Sequence, residues 1–351
     1  HLLIPSSLHL ALPMHIPNSW LIPVAGLSGV AFSLIGISYR MGQPRGIAPG
    51  HVMACIAAAG IVIFGVQSAG LPLADVPLLV IALGVAAGLT QYVLVRIMKA
   101  ALRMGPLSPA WCALALSFLP TIAFSSISLG EKLGLMHGLA LIAGIACVLA
   151  ASACQNPLCQ NTPPPCPLPK DGEGEVAGPL PKCGEGEVAA PLPILGEGYR
   201  GGGSASRLAY IGVLLLIPTF NCVTQISIKV LGRPDAAGGS MADRFSGVFL
   251  LLMYFVIGTS LAIELLVTRN YRVPLLHTAG LGIMAAAGSS AGMTGLTACA
   301  ALPAAILFPL TSVVSILVAA IVSTAAFGER RALAWYGTVG FGALTVVLAN
   351  L

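Results

Sequence analysis

The sequence predicts an all-α integral membrane protein with ten transmembrane helices, arranged as two inverted five-helix repeats. Three observations predict this: an apolar composition, ten apolar windows long enough to span a bilayer, and a short motif that occurs in both halves. Of the 351 residues, 57% are hydrophobic and only 8% are charged, whereas soluble domains are usually about a quarter charged. So few charges cannot cover a soluble protein of this length, but a lipid bilayer removes the need for a polar exterior.

The windows define the predicted helices, because about 20 apolar residues in a helix span the hydrocarbon core. They lie near residues 18–38, 47–67, 77–98, 107–129, 133–152, 208–230, 246–267, 276–299, 303–326 and 333–350. Small residues spaced four apart let neighbouring backbones approach closely in lipid. We therefore predict packing seams at Gly84 and Gly88, at Gly134 and Gly138, and at Gly288 and Gly292.

The windows divide the chain into four segments. Residues 1–17 form an N-terminal tail, in which Met14 is the expected true start unless the chain is a fragment, and residues 18–152 form the first repeat. Residues 153–206 contain the consecutive units PLPKDGEGEVAG, PLPKCGEGEVAA and PLPILGEGYRGG, and residues 207–351 form the second repeat. Units rich in Pro, Gly and Glu have no apolar face to stack, so we predict a disordered linker between the repeats.

A Gly-Glu-basic triplet follows the fourth and the ninth windows. The triplets are Gly130, Glu131 and Lys132, and Gly328, Glu329 and Arg330. The shift in residue number that superimposes them also superimposes Gly144 on Gly342. Because each half has an odd number of spans, the second half must enter the membrane in the opposite orientation, as in many secondary transporters. We predict that Gly permits a tight turn and that the adjacent charges anchor it at the headgroups, a structural role rather than substrate contact.

The two triplet regions resemble a known family. SISLGEKLGLMHGLALIAGIACVLAA and VSTAAFGERRALAWYGTVGFGALTVVLA are similar to the end-of-repeat pattern of the drug/metabolite transporter superfamily, of the EamA-like type with ten spans. The resemblance covers most of residues 18–152 and 207–350, although the long repetitive linker is unusual for the family. It implies a secondary transporter, exporter or importer, with a central cavity between the repeats, in the cell (inner) membrane of a prokaryote. It names no substrate, because the superfamily moves amino acids, sugars, nucleotide conjugates, drugs and other metabolites.

Orientation and nucleic-acid binding are both questions of charge distribution. The 17 Lys and Arg residues outnumber the 12 Asp and Glu residues, but they are scattered, which argues against a nucleic-acid partner. They gather after the first, third, fifth, seventh and ninth windows, which by the positive-inside rule places both termini outside. The family resemblance implies both termini in the cytoplasm, so the orientation stays open, as does the oligomeric state.

Polar side chains within the sixth window are the first candidate substrate contacts, because intramembrane polar groups are costly and usually face a cavity. Asn221, Gln225 and Lys229 recur every four residues, so they share one face of a helix. In the alternative interpretation, the amides bond neighbouring helices while Lys229 extends to the membrane interface.

The third and seventh windows hold the remaining candidates. Gln91 and Tyr92 lie near the middle of the third window and can hydrogen-bond a substrate, while Arg96 can orient an anion. In the alternative interpretation, Arg96 forms an ordinary basic helix end together with Lys99 and Arg103, and this interpretation is favoured for Lys99 and Arg103. Glu264 is the acid placed deepest in a window. In one interpretation Glu264 exchanges a proton with the substrate and so couples transport to a proton gradient, although another coupling ion is also possible for the protein. In the alternative interpretation Glu264 lies at the membrane interface.

Enzymatic and metal chemistry are not expected. Residues 288–292 read GSSAG, which fits the nucleophile elbow G-x-S-x-G, but that elbow needs a strand-to-helix turn with His and acid partners, and no histidine follows His277. The nine cysteines include no C-x2-C pair, so we expect no metal and no cofactor. A non-transporting membrane protein or an intramembrane enzyme remains the alternative to a transporter of a small molecule.

Overall fold

A computed structural model gives the structure of the protein. It describes residues 18–42, 47, 49–104, 110, 113–132, 134–153, 204–233, 239–268, 275–327 and 333–349. The predicted N-terminal tail, nearly all of the predicted linker and the second triplet, Gly328 to Arg330, lie outside these residues.

Each predicted window contains an α-helix among the described residues, and residues 110 and 113–115, before the fourth of these helices, are also helical. The helices of the windows are α1 (Asn18–Gly42), α2 (Pro49–Ser68), α3 (Leu78–Met104), α4 (Phe118–Ser128), α5 (Leu135–Ala153), α6 (Ser204–Leu231), α7 (Met241–Thr268), α8 (Leu275–Ala298), α9 (Ala304–Phe327) and α10 (Leu333–Ala349). Within the described part of the chain, six segments are long and apolar enough to cross a membrane: Ser19–Gly42, Pro49–Ser68, Leu78–Ala101, Ala209–Leu231, Met241–Thr268 and Ala304–Val322.

The outer surface of the helices is apolar. Large side chains such as Val66, Leu78, Ile127 and Val267 are exposed, which water would not favour over so wide an area but lipid does. The protein is therefore a helical, multi-pass membrane protein in contact with a lipid bilayer, as the composition predicts.

The helix of the fourth window is interrupted before α4, since residues 110 and 113–115 are helical and residues 116 and 117 form a turn. Before α4, the Ser117 N–H donates to the Leu114 carbonyl at 3.2 Å and the Leu119 N–H to the Leu116 carbonyl at 3.0 Å, which is the tighter pattern of a 3₁₀ turn. Pro120 then falls in the first turn of α4, where a missing N–H costs no intrahelical hydrogen bond.

Glycines bring α3 against α7. A Cβ atom on Gly84 would lie 2.9 Å from the Cβ of Leu252, and one on Gly88 would lie 2.7 Å from the Cβ of Val256. Only a hydrogen atom fits at both positions, so the predicted seam at Gly84 and Gly88 is confirmed.

A second glycine seam joins α8 to α1. A Cβ atom on Gly288 would lie 2.7 Å from the Cβ of Leu34, and one on Gly292 would lie 2.8 Å from the ring of Phe32. The predicted seam at Gly288 and Gly292 is therefore confirmed.

The third predicted seam is wrong. A Cβ atom on Gly138 would meet nothing within 4 Å, and Gly134 lies in the turn before α5, near only the His137 side chain. Spacing indicates which residues share a helix face, but it does not show whether another helix covers that face.

Tyr254 occupies the centre of the packing between α2, α7 and α8. Its ring stacks on Phe64 with the ring centroids 5.5 Å apart, and Gly60 leaves room for it. Its hydroxyl shares a hydrogen bond of 2.7 Å with the Ser289 hydroxyl. The buried phenol is thus satisfied without water.

Helix packing follows a regular scheme. Helix α1 packs on α8 and α9, and α6 packs on α3 and α4. Helix α2 packs on both α7 and α8, α3 also packs on α7, and α5 packs on α10. Helices α3 and α6 are antiparallel, because Leu94 and Ala101 of α3 pack with Ile217 and Tyr210 of α6. Gln91 of α3, by contrast, meets Asn221 farther along α6.

Candidate functional site

Six polar side chains from α3, the start of α4, and α6 form a connected group in the described residues, the amide network. Its members are Gln91, Ser117, Thr121, Asn221, Thr224 and Gln225. The side-chain amides of Asn221 and Gln225 both donate to the Ser117 hydroxyl, at 2.7 and 2.9 Å. The Thr121 hydroxyl donates to the Gln225 carbonyl oxygen at 2.8 Å, so Asn221 and Gln225 share one face of α6 as their spacing predicts.

Gln91 connects α3 to this group. Its amide nitrogen donates to the Asn221 side-chain oxygen at 3.0 Å and to the Thr224 hydroxyl at 2.9 Å. Both of its N–H groups are therefore used, while its own carbonyl oxygen accepts no hydrogen bond from the described residues.

The amide network keeps unused hydrogen-bonding capacity. A side-chain amide offers two N–H donors and one carbonyl acceptor, and Asn221 and Gln225 each donate once to the described residues. Ser117, Thr121 and Thr224 are buried, whereas the three amides are only partly buried. The network can therefore accept one hydrogen bond at Gln91 and donate two from α6 to a polar molecule.

Four residues of α3 and α7 form a second group, the ion cluster: Tyr92, Arg96, Lys99 and Glu264. The Glu264 carboxylate forms a hydrogen-bonded ion pair with the Arg96 guanidinium. Lys99 Nζ lies 3.7 Å from the same carboxylate, and the Tyr92 hydroxyl donates to it at 3.4 Å. Glu264 is thus a partnered acid between two cations, and its proposed exchange of a proton remains a prediction.

Lys229 does not join the amide network, although it shares a helix face with Asn221 and Gln225. Its ammonium group pairs with Glu131 Oε1 at 2.7 Å, and it donates to the carbonyls of Ala300 at 3.1 Å and Leu302 at 2.6 Å. All three N–H donors are therefore engaged within the protein, and the side chain is only 4% exposed. Lys229 is therefore buried and has no free donor for a substrate in this conformation.

Glu131 completes this arrangement, the Lys229 bridge, by contacting α9. Its Oε2 accepts a hydrogen bond from the Ala304 N–H at 2.8 Å, at the helix N-terminus, where a negative charge is favoured. Burial raises the pKa of the Glu131 carboxyl. The hydrogen bonds from Lys229 and Ala304 and the positive charge of Lys229 lower it, and together they outweigh burial, so the pKa lies below its ordinary value. The carboxylate is therefore held ionised between α6, α9 and the turn after α4.

The first triplet forms a tight turn, as predicted, but its charges do not pair with each other. Gly130 has φ of 71°, in the left-handed region that favours glycine. Lys132 is exposed, and the partner of Glu131 is Lys229 from the other half of the chain. The interpretation of adjacent charges that anchor the turn at the headgroups is replaced by an ion pair between distant segments.

The two charged groups lie toward opposite ends of the bundle. Because α3 and α6 are antiparallel, Arg96 lies beyond Gln91 in one direction, and Lys229 lies beyond Asn221 in the other. At about 1.5 Å of rise per residue, these intervals amount to about 8 Å and about 12 Å. The amide network therefore lies between the ion cluster and the Lys229 bridge.

Sequence reasoning did not identify Ser117, Thr121 and Thr224. Hydroxyl side chains in apolar helices commonly bond the carbonyl four residues earlier, as Ser227 does to the Val223 carbonyl at 2.8 Å, so their presence in a window indicates little. The spacing of Ser117 and Thr121 by four residues, the same as that of Asn221 and Gln225, was the available signal.

Ser290 lies inside α8, not at a strand-to-helix turn. Its hydroxyl is buried and has no hydrogen-bond partner among the described residues. The nucleophile-elbow geometry is therefore absent at this motif.

Comparison with known proteins gives a likeness in fold. No family model matches the chain, and no curated protein matches it. A solved structure described as "Crystal structure of protein" is similar, with a TM-score of 0.62 at 13% sequence identity, over 95% of this chain and 97% of that one. At this identity the likeness shows the fold alone.

Proposed function

We propose that the protein is a secondary transporter of a small polar metabolite, of the EamA-like type in the drug/metabolite transporter superfamily. It works by alternating access between two inverted five-helix repeats, in a prokaryotic cell membrane, without enzymatic activity or a cofactor. The observation that supports this best is the amide network, which keeps free donors and an acceptor between two ion-paired groups at opposite ends of the bundle.

The helix packing supports two related repeats. Suppose that each helix of the first half corresponds to the helix five positions later, so that α1 corresponds to α6 and α2 to α7. The contacts of α1 with α8 and α9 then correspond to the contacts of α6 with α3 and α4, and the contact of α3 with α7 corresponds to that of α8 with α2. The contacts of α2 with α7 and of α5 with α10 join corresponding helices, so the exchange of the two halves leaves them unchanged. This is the scheme that a twofold axis between the halves produces, and an odd number of helices per half makes the repeats inverted.

The position of the amide network supports a binding site. Asn221 lies near the middle of the apolar segment Ala209–Leu231, and Gln91 lies near the middle of Leu78–Ala101. Substrate sites of inverted-repeat transporters lie near the bilayer midplane. Polar groups at that depth are costly and usually face a cavity or a hydrogen-bond partner.

The two charged groups support alternating access because they differ in burial. The Lys229 side chain is 4% exposed, whereas that of Arg96 is 49% exposed. The Lys229 side chain is thus enclosed by the bundle, whereas that of Arg96 is partly accessible. In the proposed cycle the Lys229 bridge opens when the ion-cluster end closes.

The test is transport in proteoliposomes after a ligand screen. A metabolite library is first screened for compounds that stabilise the purified protein against heat, because a ligand of the folded state raises its stability. Compounds that stabilise it are then assayed for counterflow. We expect Asn221→Leu with Gln225→Leu to abolish flux without loss of membrane insertion, and Gln67→Leu, at an exposed amide of α2, to leave flux unchanged.

Two outcomes would contradict the proposal. Unchanged uptake kinetics in the Asn221→Leu, Gln225→Leu variant would exclude the amide network as the substrate site. Stabilising ligands without flux of any of them would favour the alternative, a non-transporting membrane protein or an intramembrane enzyme.

Proton coupling through Glu264 is a further part of the proposal. A pH gradient across the vesicle membrane should drive flux in the wild type and fail to drive it in Glu264→Gln. Flux independent of the gradient would exclude this coupling and leave another ion or simple exchange.

A further inference from the structure

We infer that the ion cluster binds the carboxylate group of the substrate, and that Glu264 is an internal carboxylate occupying this subsite when substrate is absent. This inference rests on the proposed function and deepens it by naming the substrate class. The transported molecule is then a small carboxylic acid.

The charges of the ion cluster leave room for one more anion. Arg96 and Lys99 contribute two positive charges against the single negative charge of Glu264. Among the described residues, neither cation has another acidic partner, and α3 contains no Asp or Glu. A substrate carboxylate that takes the place of Glu264 would therefore meet two cations and no other acid of the described residues.

The donors are arranged for a carboxylate. Tyr92, Arg96 and Lys99 lie at helical spacing on one face of α3, and all three contact the same carboxylate of Glu264. A guanidinium has five N–H donors in a planar fork that matches the two oxygens of a carboxylate. The Arg96 side chain is 49% exposed, so it is not sealed within the bundle.

Glu264 comes from a different helix than its partners. The three donors belong to α3, whereas the acid belongs to α7. A substrate carboxylate that binds α3 therefore competes with a contact between two helices, which gives the substrate a direct effect on helix packing.

The ion cluster and the amide network face different neighbours of α3. Gln91 contacts α6, whereas Tyr92, Arg96 and Lys99 contact Glu264 of α7. Arg96 lies five positions after Gln91, which is about 8 Å along the helix axis and about 140° around it. The ion cluster therefore binds the carboxylate without the amide network.

The experiment compares acids with their neutral amides. Purified protein in a neutral detergent, free of anionic lipid, is titrated with benzoate and benzamide, phenylacetate and phenylacetamide, and lactate and lactamide, and binding is followed by thermal stabilisation. We expect the acids to stabilise the protein and the amides to have little effect. Anionic lipid added afterwards tests whether a lipid headgroup occupies the subsite, in which case it would abolish the acid effect.

Variants of the cluster give the decisive comparison. Glu264→Gln removes the competing carboxylate, so the acids should bind about tenfold more tightly, the size expected for a charge-assisted hydrogen bond. Arg96→Gln and Lys99→Gln should weaken acid binding by a similar factor and leave amide binding unchanged. Asp75→Asn, which removes an exposed acid of the short 3₁₀ helix Leu73–Asp75 between α2 and α3, should change neither.

Other results would overturn the inference. Equal binding of acids and amides, acid binding by Glu264→Gln no tighter than by wild type, or unchanged acid binding by Arg96→Gln would each do so. If Glu264→Gln does not fold, Lys99→Gln and Arg96→Lys decide the matter, because both leave a cation beside Glu264 and should still weaken acid binding. Flux of neutral compounds without acid preference would refute the inference alone, whereas acid binding without any flux would refute the transporter.

Discussion

The Lys229 bridge offers the sharpest test of how the structure is held together. Lys229→Met keeps a long side chain in the same space but removes the charge that pairs with Glu131 and the donors to the carbonyls of Ala300 and Leu302. Removing one partner of a buried ion pair costs about 3–5 kcal/mol. Because the Glu131 side chain is 22% exposed, water can partly solvate the orphaned carboxylate, and we expect the low end, about 3 kcal/mol.

The assay is reversible unfolding in mixed detergent micelles, with Lys132→Met as the matched control. Lys132 is an exposed lysine next to Glu131, so its loss should change the free energy of unfolding by less than about 0.5 kcal/mol. Glu131→Gln should cost about 1.5–3 kcal/mol, the value of a hydrogen bond to a charged group. The double variant should lose less free energy of unfolding than the two single variants lose together, because the second substitution removes a group that already lacks its partner.

The result that would refute this reasoning is simple additivity of the two substitutions. It would mean that Glu131 and Lys229 are not energetically coupled, whatever their distance. Equal stability of Lys229→Met and Lys132→Met would likewise show that the bridge contributes nothing to folding.

Three further predictions concern single positions. The pKa of Glu131 is lowered below its ordinary 4.5, so the ionised carboxylate stabilises the fold above that pH and loses this effect as the pH falls through the lowered pKa. The stability difference between wild type and Glu131→Gln should therefore shrink below about pH 4.5. A difference that stays constant with pH would contradict this. Gly130→Ala should cost about 1–2 kcal/mol, since a Cβ is strained at positive φ, whereas Gly138→Ala, in the open interior of α5, should not destabilise; equal effects on thermal unfolding would refute the turn argument. Gly60→Ala should cost about 1–3 kcal/mol by overpacking, because its Cβ would lie 2.5 Å from the ring of Tyr254, and thermal unfolding beside Gly36→Ala, where space is open, measures it.

The helices were predictable because hydropathy is a local property. Each apolar window contains a helix, and the ends agree within a few residues for most of them. The exception is the fourth window, where a 3₁₀ turn at residues 116 and 117 separates the helical residues 113–115 from α4. Hydropathy does not register such a turn, because its residues are as apolar as the helix that follows.

The candidate site was predictable only in part. The spacing of Asn221, Gln225 and Lys229 correctly places all three on one face of α6, since side-chain direction follows from helix geometry. It does not show that the first two meet Ser117 while Lys229 meets Glu131. Those partners come from other helices, and their positions depend on how the helices pack.

The sequence alone determined that this is a helical membrane protein, because the free energy of placing about 20 apolar residues in lipid depends on that stretch by itself. Only the tertiary structure decided the partners of the charges. Arg96 with Glu264, and Glu131 with Lys229, are pairs of residues far apart in the chain. Their pairing follows from helix packing, because a charge at membrane depth must find an opposite charge or a hydrogen-bond partner.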